Sequence, residues 1–468
     1  MPSDHTNNWK QSSCVVILAA GKGSRMLGSI PKALQPVCGK TILQRILDGI
    51  QSAGITESVL VINPASRKEF INTLNQIGHT NCQLVEQNEA KGTAHALMQT
   101  LDVLEKDNTI VVLGDTPFIS PDIYAQALNG LQGARLISTH IKNPTGMGRV
   151  IRGKDNKLEK IIEQKDLSKD SEHICEINTG IMAIKTDLLH THLNKIGNDN
   201  AAREYYLTDI IQILRSEGLT VDVVEEKESW RVRGVNTPKE LSELEASFSR
   251  ASVLQLLKSG VQIKDIASFQ CLGDLKCGQD VHIHPGVVIE GKVSIGSRST
   301  IGAYSVLKDV TIGNDVEVKP FCVIEDSKIG NGAKVGPFAY CRQGTVMKKA
   351  SEIGCFVESK QTILGEGSKA KHLSYLGNLT LGASCNVGAG VIHCNYDGLN
   401  KHTSILGDGV FIGANSSLVG PVKVASYAMV AAASVITKDI ESGALAIARS
   451  RQTNISNWKD RKKATTKT

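Results

Sequence analysis

The sequence predicts two domains: an α/β domain with a Rossmann-like, mostly parallel sheet, and a parallel β-helix of hexapeptide repeats. Three observations predict them. The chain of 468 residues is too long for one ordinary core, its first half alternates short β-branched runs with helical patterns, and its second half repeats an aliphatic residue every six positions. We expect the first domain at 1–238, a linker helix at 239–259 and the β-helix at 260–468, with a basic tail at its end.

The first half has the pattern of a sheet covered by helices. Its apolar runs are Val15–Leu18, Val59–Ile62, Gln83–Val85 and Ile110–Leu113, and helical periodicity lies between them near Ile42–Ala53 and Arg67–Ile77. Strands separated by helices are typical of a parallel sheet with both faces covered. Such sheets bind ligands at the carboxyl ends of their strands, so we expect a site there.

An apolar stripe from Pro238 to about Gly260 predicts a connecting helix, and a six-residue repeat follows it. The repeat runs through Ile283, Ile289, Ile295, Ile301 and Leu307, resumes after a one-residue slip at Ile312, Val318 and Ile324, and returns at Leu406, Ile412, Leu418, Val424, Val430 and Ile436. A triangular β-helix explains this period, because each flat face points one aliphatic residue at the axis. A β-sandwich with chance spacing is the alternative. We expect interruptions at Lys348–Glu352 and His393–Thr403, the second being the longer.

Composition excludes several classes of protein. The 53 basic and 47 acidic residues give a net charge of only +6, too small an excess to indicate a nucleic-acid partner. The eleven cysteines never form a CxxC pair, which argues against a zinc ribbon and a disulfide framework. The longest early apolar run, Cys14–Ala20, is too short to cross a membrane, and no signal-peptide pattern precedes it. We expect a cytoplasmic protein that acts on small phosphorylated molecules.

A glycine-containing loop, LAAGKGSRM, follows the first predicted strand. Backbone amides near Gly21 and Gly23 suit phosphate oxygens, and Arg25 and Lys32 add positive charge. The loop is neither a dinucleotide fingerprint nor a P-loop. Asp115, at the end of a buried strand, is either a helix-capping residue or a metal ligand, and its position alone favours the cap.

The motifs together resemble a known family. LAAGKGSRM, PKAL and GKTIL are similar to the signature of sugar-1-phosphate nucleotidyltransferases. QNEAKGTAHA, GDTP, PTGMGRV, EQKD, EINTG and GVN narrow the resemblance to the bacterial bifunctional N-acetylglucosamine-1-phosphate uridyltransferase / glucosamine-1-phosphate acetyltransferase family, from about Val15 to Arg451. The resemblance implies a nucleotidyltransferase fold, a left-handed β-helix and a homotrimer. It also implies acetyl transfer from acetyl-CoA to glucosamine-1-phosphate, then uridylyl transfer from UTP to N-acetylglucosamine-1-phosphate with Mg²⁺.

The same resemblance implies roles for residues of the first domain. Arg25 and Lys32 would be the catalytic cations, and Asp115 and Asn236 would hold Mg²⁺. The nucleotide and sugar would lie on Leu18, Ala19, Ala20, Gly21, Gln87, Gly92, Thr93, Leu113, Gly114, Gly148, Glu163, Asn178 and Asn236, with uracil near Gln87 and the sugar near Glu163. Leu113 stands where the family usually has tyrosine, and Met147 replaces an aromatic residue. We therefore expect the activity to survive with an altered affinity for uridine or for the sugar.

For the second domain the resemblance makes His372, in SKAKHLSYLGN, the general base of acetyl transfer. The acetyl acceptor would lie on Arg342, Lys360, Tyr375, Asn386 and Lys401, and acetyl-CoA on Ala389, Asn395, Tyr396, Ala414, Ala432 and Arg449. Ala414 replaces a common serine, and Gln343 a proline. We expect His393 and His402 to be solvated loop residues. An acyl-enzyme on Cys394 is disfavoured, because no base is fixed beside it.

Two other interpretations remain. One is a nucleotidyltransferase whose β-helix is only regulatory and oligomerising, as in glucose-1-phosphate adenylyltransferases; Arg342, Lys360, His372 and Tyr375 argue against it. The other is a non-catalytic scaffold or translation-factor subunit that keeps the fold and loses the sites; the retained Arg25, Lys32, Asp115 and Asn236 argue against it.

Overall fold

The computed structural model of the chain describes residues 8–21, 23, 26, 30–79, 81–153 and 157–459. The chain divides into two compact units, Met1–Phe248, called here the sheet unit, and Ser249–Thr468, called the β-helix unit. No helix in this described part has both the length and the apolar run needed to cross a bilayer.

The sheet unit alternates strands and helices. Its strands are β1 Ser13–Leu18, β2 Pro36–Val37, β3 Lys40–Thr41, β4 Glu57–Ile62, β5 Cys82–Glu86, β6 Asn108–Leu113, β7 Ala134–His140, β8 Arg149–Arg152, β9 Leu158–Ile162, β10 Glu176–Lys185 and β11 Val221–Glu225. Its helices are α1 Ile42–Ala53, α2 Arg67–Ile77, α3 Thr93–Met98, α4 Pro121–Leu128, α5 Thr186–His192 and α6 Asp209–Ser216, and α7 Pro238–Lys258 leads into the second unit.

The main sheet of this unit is mostly parallel, as predicted. Its strand order is β11-β7-β10-β6-β1-β4-β5, with the β8–β9 hairpin attached to β10. Strand β1 pairs in parallel with β4 and β6, so Leu18 lies beside both Val61 and Leu113. The carboxyl ends of the three central strands therefore share one edge. Strand β10 runs antiparallel to β6 and β7, which alternation of strands and helices does not reveal.

Local sequence signals set the helix ends. The Thr41 side chain caps α1 by accepting a hydrogen bond from the Gln44 N–H, and Gly54 ends the helix in the left-handed conformation with φ 80°. Between them Ile42, Leu43 and Ile46 recur at helical spacing and are buried, and α1 packs against α4.

The β-helix unit consists of short parallel strands. They are β12 Gln262–Ile263, β13 Gln270–Cys271, β14 Asp274–Cys277, β15 His282–Ile283, β16 Val288–Glu290, β17 Lys292–Ile295, β18 Thr300–Ile301, β19 Val306–Ile312, β20 Glu317–Val318, β21 Val323–Ile329, β22 Lys334–Val335, β23 Tyr340–Cys341, β24 Val346–Met347, β25 Glu352–Lys360, β26 Ile363–Leu364, β27 Lys369–Gly377, β28 Leu379–Leu381, β29 Asn386–Val387, β30 Ile392–Cys394, β31 Ser404–Leu406, β32 Phe411–Ile412, β33 Ser417–Val419, β34 Lys423–Val424, β35 Met429–Val430, β36 Val435–Ile436 and β37 Leu445–Ala446.

Each coil pairs with the next through equivalent strands, which confirms the predicted parallel β-helix. Inward residues form columns; one column reads Ile353, Ala370, Val387, Ile412 and Val430 on successive coils. These side chains are at most 4% exposed and form one continuous core.

The expected interruption at Lys348–Glu352 is wrong. Met347 and Ile353 both occupy inward positions and pair regularly with the neighbouring coils. Residues between them form an ordinary corner, in which Lys348 N–H donates to Leu364 O. The longer interruption is present, but it begins at Asn395 rather than at His393, because His393 and Cys394 pair regularly with Leu418 and Val419 of the next coil.

Helix α7 contributes side chains to the packing of both units. Phe248 stacks on Phe118 of the sheet unit with a centroid distance of 4.6 Å. Farther along, Val253 and Leu256 belong to the core of the β-helix unit. The boundary between the two units therefore falls inside a helix rather than in a flexible loop.

Candidate functional sites

The turn after β1 lies at the carboxyl edge of the sheet. Ala19 N–H donates to Val61 O, and Gly114 N–H donates to Leu18 O. A β-carbon on Gly114 would lie 2.7 Å from the Ala19 side chain, so the approach of these two turns requires glycine. Ala20 is buried and Gly21 is exposed, so the turn presents its glycine to solvent at this edge. Arg25 lies outside the described residues.

Lys32 joins the two residues expected to bind magnesium. Its ammonium group forms an ion pair with Asp115 and donates to Asn236 Oδ1 at 2.8 Å. The side chains of Lys32 and Asp115 are only 16% and 17% exposed. Asn236 is held from behind, because its N–H donates to Glu240 Oε2 at 2.6 Å. The structure thus brings together three predicted residues that lie far apart in the sequence.

These residues fit a magnesium ion. A carboxylate and an amide oxygen already converge on one cation, the Lys32 ammonium, and Mg²⁺ prefers such hard oxygen ligands. In the described part of the chain no three His, Cys, Asp or Glu side chains gather as a metal site. Proteins commonly hold Mg²⁺ through one or two protein oxygens, with substrate phosphates and water completing its shell.

Gln87 lies at the other end of this edge and has a fixed orientation. Its Nε2 donates to Gly92 O at 3.2 Å and lies 3.0 Å from His95 Nδ1. Because a carbonyl oxygen can only accept, the amide nitrogen must face Gly92, and His95 Nδ1 then accepts. Oε1 has no hydrogen-bond partner among the residues the structure describes, so Gln87 presents an acceptor to a ligand.

The segment that holds Gly92 and Thr93 is clamped to the chain before α6. A β-carbon on Gly92 would lie 2.5 Å from Tyr205 O, and its φ is 109°. Thr93 Oγ1 accepts from Leu207 N–H at 3.0 Å. Sequence reasoning missed His95 and Tyr205; the His in KGTAHA was the only signal for the former.

Gly148, Glu163 and Asn178 meet on one wall. A β-carbon on Gly148 would lie 3.2 Å from the Glu163 carboxylate oxygens, and Asn178 N–H donates to Gly148 O at 2.9 Å. Burial raises the pKa of Glu163, and nearby Asp209 and Asp166 add to the shift. Thr208, which sequence reasoning missed, donates to Glu163 at 3.2 Å.

Leu113 closes the same wall. Gly180 has φ 76°, and a β-carbon there would lie 2.4 Å from Leu113 Cδ1. Leu113 thus fills the space next to Gly180, close to the strand that carries Asn178.

On the β-helix unit, three residues expected to hold the acceptor occupy neighbouring coils. Cys341 pairs with Ser359, which places Arg342 level with Lys360 of the next coil. Lys360 in turn pairs with Gly377, two residues after Tyr375. The Arg342 guanidinium donates to Glu358 Oε1 at 2.7 Å, which raises the pKa of Arg342. Glu358 was missed, although it stands two residues before Lys360. Within the described chain, Lys360 and Lys401 have no ion-pair partner, so both remain available to a phosphate.

His372 begins a line of small residues along one corner of the coil. Since Ala370, Val387, Ile412 and Val430 are paired successively, the residues two positions later are also equivalent, and these are His372, Ala389, Ala414 and Ala432. At about 4.8 Å per coil they span roughly 14 Å. Arg449 donates to Ala432 O at 3.0 Å and ends the line. His372 is exposed, and its ring makes no hydrogen bond to any described residue.

The loop 395–403, between β30 and β31, carries three predicted residues. Asn395 is 7% exposed and donates to Asn378 Oδ1 at 2.7 Å, whereas Tyr396 is 59% exposed and bridges to Lys401. His402 pairs with Asp397 at 2.6 Å, so it is not a simply solvated residue. Asn386 lies apart from Tyr375, because it pairs with Lys369 at the other end of β27.

The prediction that His393 is a solvated loop residue is wrong. His393 is 0% exposed and lies on strand β30, with both ring nitrogens hydrogen-bonded. It takes an inward position because Tyr375 pairs with Ile392, which puts His393 level with Leu376.

Comparisons with known proteins find similarity to both halves of the chain. A model described as the MobA-like NTP transferase domain matches residues 15–150, and one described as the GMPPB C-terminal domain matches residues 271–357. Proteins named "Bifunctional protein GlmU" match nearly the whole chain. The relative from Marinobacter nauticus is 42% identical over 96% of this chain and 99% of its own. The relative from Psychrobacter arcticus is 43% identical over 95% and 97%, and one from Acinetobacter baumannii is 40% identical over 96% and 98%.

Proposed function

The chain belongs to the family of bifunctional GlmU proteins, and we propose that it makes UDP-N-acetylglucosamine, a precursor for the cell wall, with one reaction on each unit. The β-helix unit acetylates glucosamine-1-phosphate with acetyl-CoA. The sheet unit then joins N-acetylglucosamine-1-phosphate to the uridylyl group of UTP and releases pyrophosphate. The observation that carries the double activity is the line from His372 to Arg449, which a purely regulatory coil would not need.

Uridylyl transfer needs positioning and charge rather than a protein nucleophile. The phosphate oxygen of the sugar attacks the α-phosphorus of UTP, and the bond to the bridging oxygen breaks as pyrophosphate leaves. The turn Leu18–Gly21 would hold the phosphates, while Lys32 and Arg25 offset the negative charge. Asp115 and Asn236 would hold Mg²⁺, which supplies further charge neutralisation when bound.

Substrate recognition follows from Gln87 at the sheet edge and from the wall formed by Gly148, Glu163 and Asn178. Gln87 Oε1 suits the N3–H of uracil, because both amide hydrogens are already engaged. Glu163 and Asn178 suit the hydroxyl and amide groups of N-acetylglucosamine, and Gly148 leaves space for the ring. Thr208 and the Gly92–Thr93 segment keep these groups in place.

Acetyl transfer places a base beside a smooth groove. His372 takes a proton from the 2-amino group as its nitrogen attacks the thioester carbonyl; an amide forms and the CoA thiolate leaves. Ala389, Ala414 and Ala432 would lie under the CoA arm, and Arg449 would meet its phosphates. Arg342, Lys360 and Lys401 would bind the sugar phosphate next to Tyr375.

We further propose a homotrimer that acts in the cytoplasm, where UTP and acetyl-CoA are found. A ladder of aromatic side chains supports an association through the coil. Tyr304, Phe321, Phe338 and Phe356 stack with centroid distances of 5.6, 5.1 and 5.4 Å, and they are 59, 48, 46 and 60% exposed. A second copy of the chain would cover such a stripe.

One assay tests the proposal. The purified chain is incubated with glucosamine-1-phosphate, acetyl-CoA, UTP and Mg²⁺, and UDP-N-acetylglucosamine is sought by chromatography. Its formation is expected. If N-acetylglucosamine-1-phosphate is uridylylated but glucosamine-1-phosphate is never acetylated, the β-helix is regulatory and the double activity is wrong.

A further inference from the structure

His393 occupies a place in the β-helix that neighbouring coils fill with leucine. On strand β30 it lies opposite Leu418, and on the other side it is level with Leu376. All three side chains are 0% exposed. An imidazole in such a column loses its contacts with water, so it persists only if its nitrogens find partners.

Both ring nitrogens have one. Nδ1 lies 2.5 Å from Gly377 O and must donate, because a carbonyl oxygen only accepts. In the neutral ring Nε2 then accepts from the Ser404 hydroxyl at 2.7 Å. Ser404 Oγ in turn accepts from Val422 N–H at 3.0 Å. Burial lowers the pKa of His393, which favours the neutral ring that this arrangement needs.

Of the two partners, Gly377 lies under loop 395–403 and Ser404 directly follows it. A β-carbon on Gly377 would lie 2.5 Å from the Tyr375 hydroxyl and 2.8 Å from Asn395 Nδ2, so both side chains rest on that glycine. Ser404 is the first residue after loop 395–403. Asn395 N–H donates to His393 O at 2.9 Å, so the start of the loop is attached to the same residue.

We propose that His393 is a positioning residue of the acetyl-transfer site: its ring ties Ser404, which follows loop 395–403, to Gly377, and its main-chain carbonyl holds Asn395 at the start of the loop. Asn395, Tyr396 and Lys401 then meet their substrates in one arrangement, without ordering the loop at each turnover. The inference rests on the proposed acetyl transfer. Because the hydrogen bonds of the ring go to Gly377 and Ser404 rather than to His372, the effect falls on substrate binding rather than on proton transfer.

The test replaces each end of the hydrogen-bonded pair. His393→Leu restores the side chain found in the neighbouring coils and removes both bonds. Ser404→Ala removes one of them, and His393→Gln keeps a donor and an acceptor. Ser305→Ala is the matched control, since Ser305 is also 0% exposed and its hydroxyl accepts from Cys322 N–H of the next coil, far along the chain from this loop.

Acetyl transfer and uridylyl transfer are measured on each protein, together with melting temperature at neutral pH. We expect His393→Leu to raise KM for acetyl-CoA and glucosamine-1-phosphate about tenfold, as for one to two lost hydrogen bonds. Ser404→Ala should act in the same direction, the double variant should add little to His393→Leu, and His393→Gln should recover part of the loss. The kcat of acetyl transfer and all uridylyl transfer should stay within about twofold.

Three results would overturn the inference. One is a folded His393→Leu with the KM values of the wild type. Another is a rise in KM that is proportional to the fall in melting temperature and is the same in His393→Leu and Ser305→Ala, which would make His393 a core residue only. If His393→Leu does not fold, an unchanged KM in Ser404→Ala decides against it. A wild-type chain without acetyl transfer would instead refute the proposed function, and this inference with it.

Discussion

At the scale of single residues, one ammonium group organises the site at the sheet edge. Lys32 reaches Asp115 and Asn236 together, although these residues come from three separate segments. If Asp115 is exchanged, Lys32 loses its counter-charge and the proposed metal loses its anionic ligand. The two effects act on the same reaction.

Asp115→Asn should therefore lower uridylyl transfer by at least about a hundredfold, because the proposed Mg²⁺ would orient the substrate and offset its charge. Acetyl transfer by the same preparation should be unchanged. Asp48→Asn is the control, since Asp48 pairs with Lys40 at 2.9 Å elsewhere in the unit. Radiolabelled UTP gives the first rate. Full retention of that rate would remove Asp115 from the metal site.

The orientation of the Gln87 amide predicts a preference for UTP over CTP. In the proposed binding mode its Oε1 accepts from uracil N3–H, whereas cytosine offers an acceptor at N3, so the amide should favour UTP over CTP. Gln87→Leu should lower kcat/KM for UTP about tenfold or more and leave the slow reaction with CTP nearly unchanged. The exposed Gln51→Leu serves as control. If the ratio of kcat/KM for UTP to that for CTP is the same in Gln87→Leu as in the wild type, another group distinguishes the two bases.

At the scale of elements, much of the fold was readable from the sequence. Each short strand of the coil contributes one inward side chain, so a six-residue period appears in the letters themselves. His393 escaped this reasoning because loop 395–403 interrupts the count, and a polar residue does not mark an inward position. Contacts such as Thr208 with Glu163 also escaped, because they join residues that only folding brings together.

The neutral His393 predicts how the stability of the coil depends on pH. Burial sets its pKa in the folded protein below the value in the unfolded chain. The unfolded chain therefore binds the proton first, and the stabilisation is complete above the unfolded value of about 6.5 and declines as pH falls below it.

We expect the melting temperature to fall between about pH 7 and 5, and His393→Leu to lose that component of the fall. Calorimetry at several pH values measures both proteins. His402→Leu is the comparison, because His402 lies at the loop surface beside Asp397. Parallel melting curves for wild type and His393→Leu would contradict a buried neutral ring.

At the scale of the whole molecule, the boundary inside α7 predicts where the chain can be cut. Phe248 stacks on Phe118 and lies 6.3 Å from the Trp230 ring, so it belongs to the sheet unit. A fragment 1–248 should fold and keep uridylyl transfer to N-acetylglucosamine-1-phosphate, without acetyl transfer. A fragment 1–240 lacks Phe248 and should melt at a lower temperature. A folded 1–248 without uridylyl transfer would refute the assignment of that reaction to this unit.

The proposed function places two separate sites on one chain, with N-acetylglucosamine-1-phosphate released from one site and bound by the other. The most direct test uses Asp115→Asn and His372→Ala, assayed singly and mixed, with glucosamine-1-phosphate, acetyl-CoA, UTP and Mg²⁺. Each alone should form UDP-N-acetylglucosamine at least about a hundredfold more slowly than the wild type. The mixture should restore synthesis, because one variant acetylates and the other uridylylates. A mixture no faster than either variant alone would rule out two separate sites joined by a free intermediate.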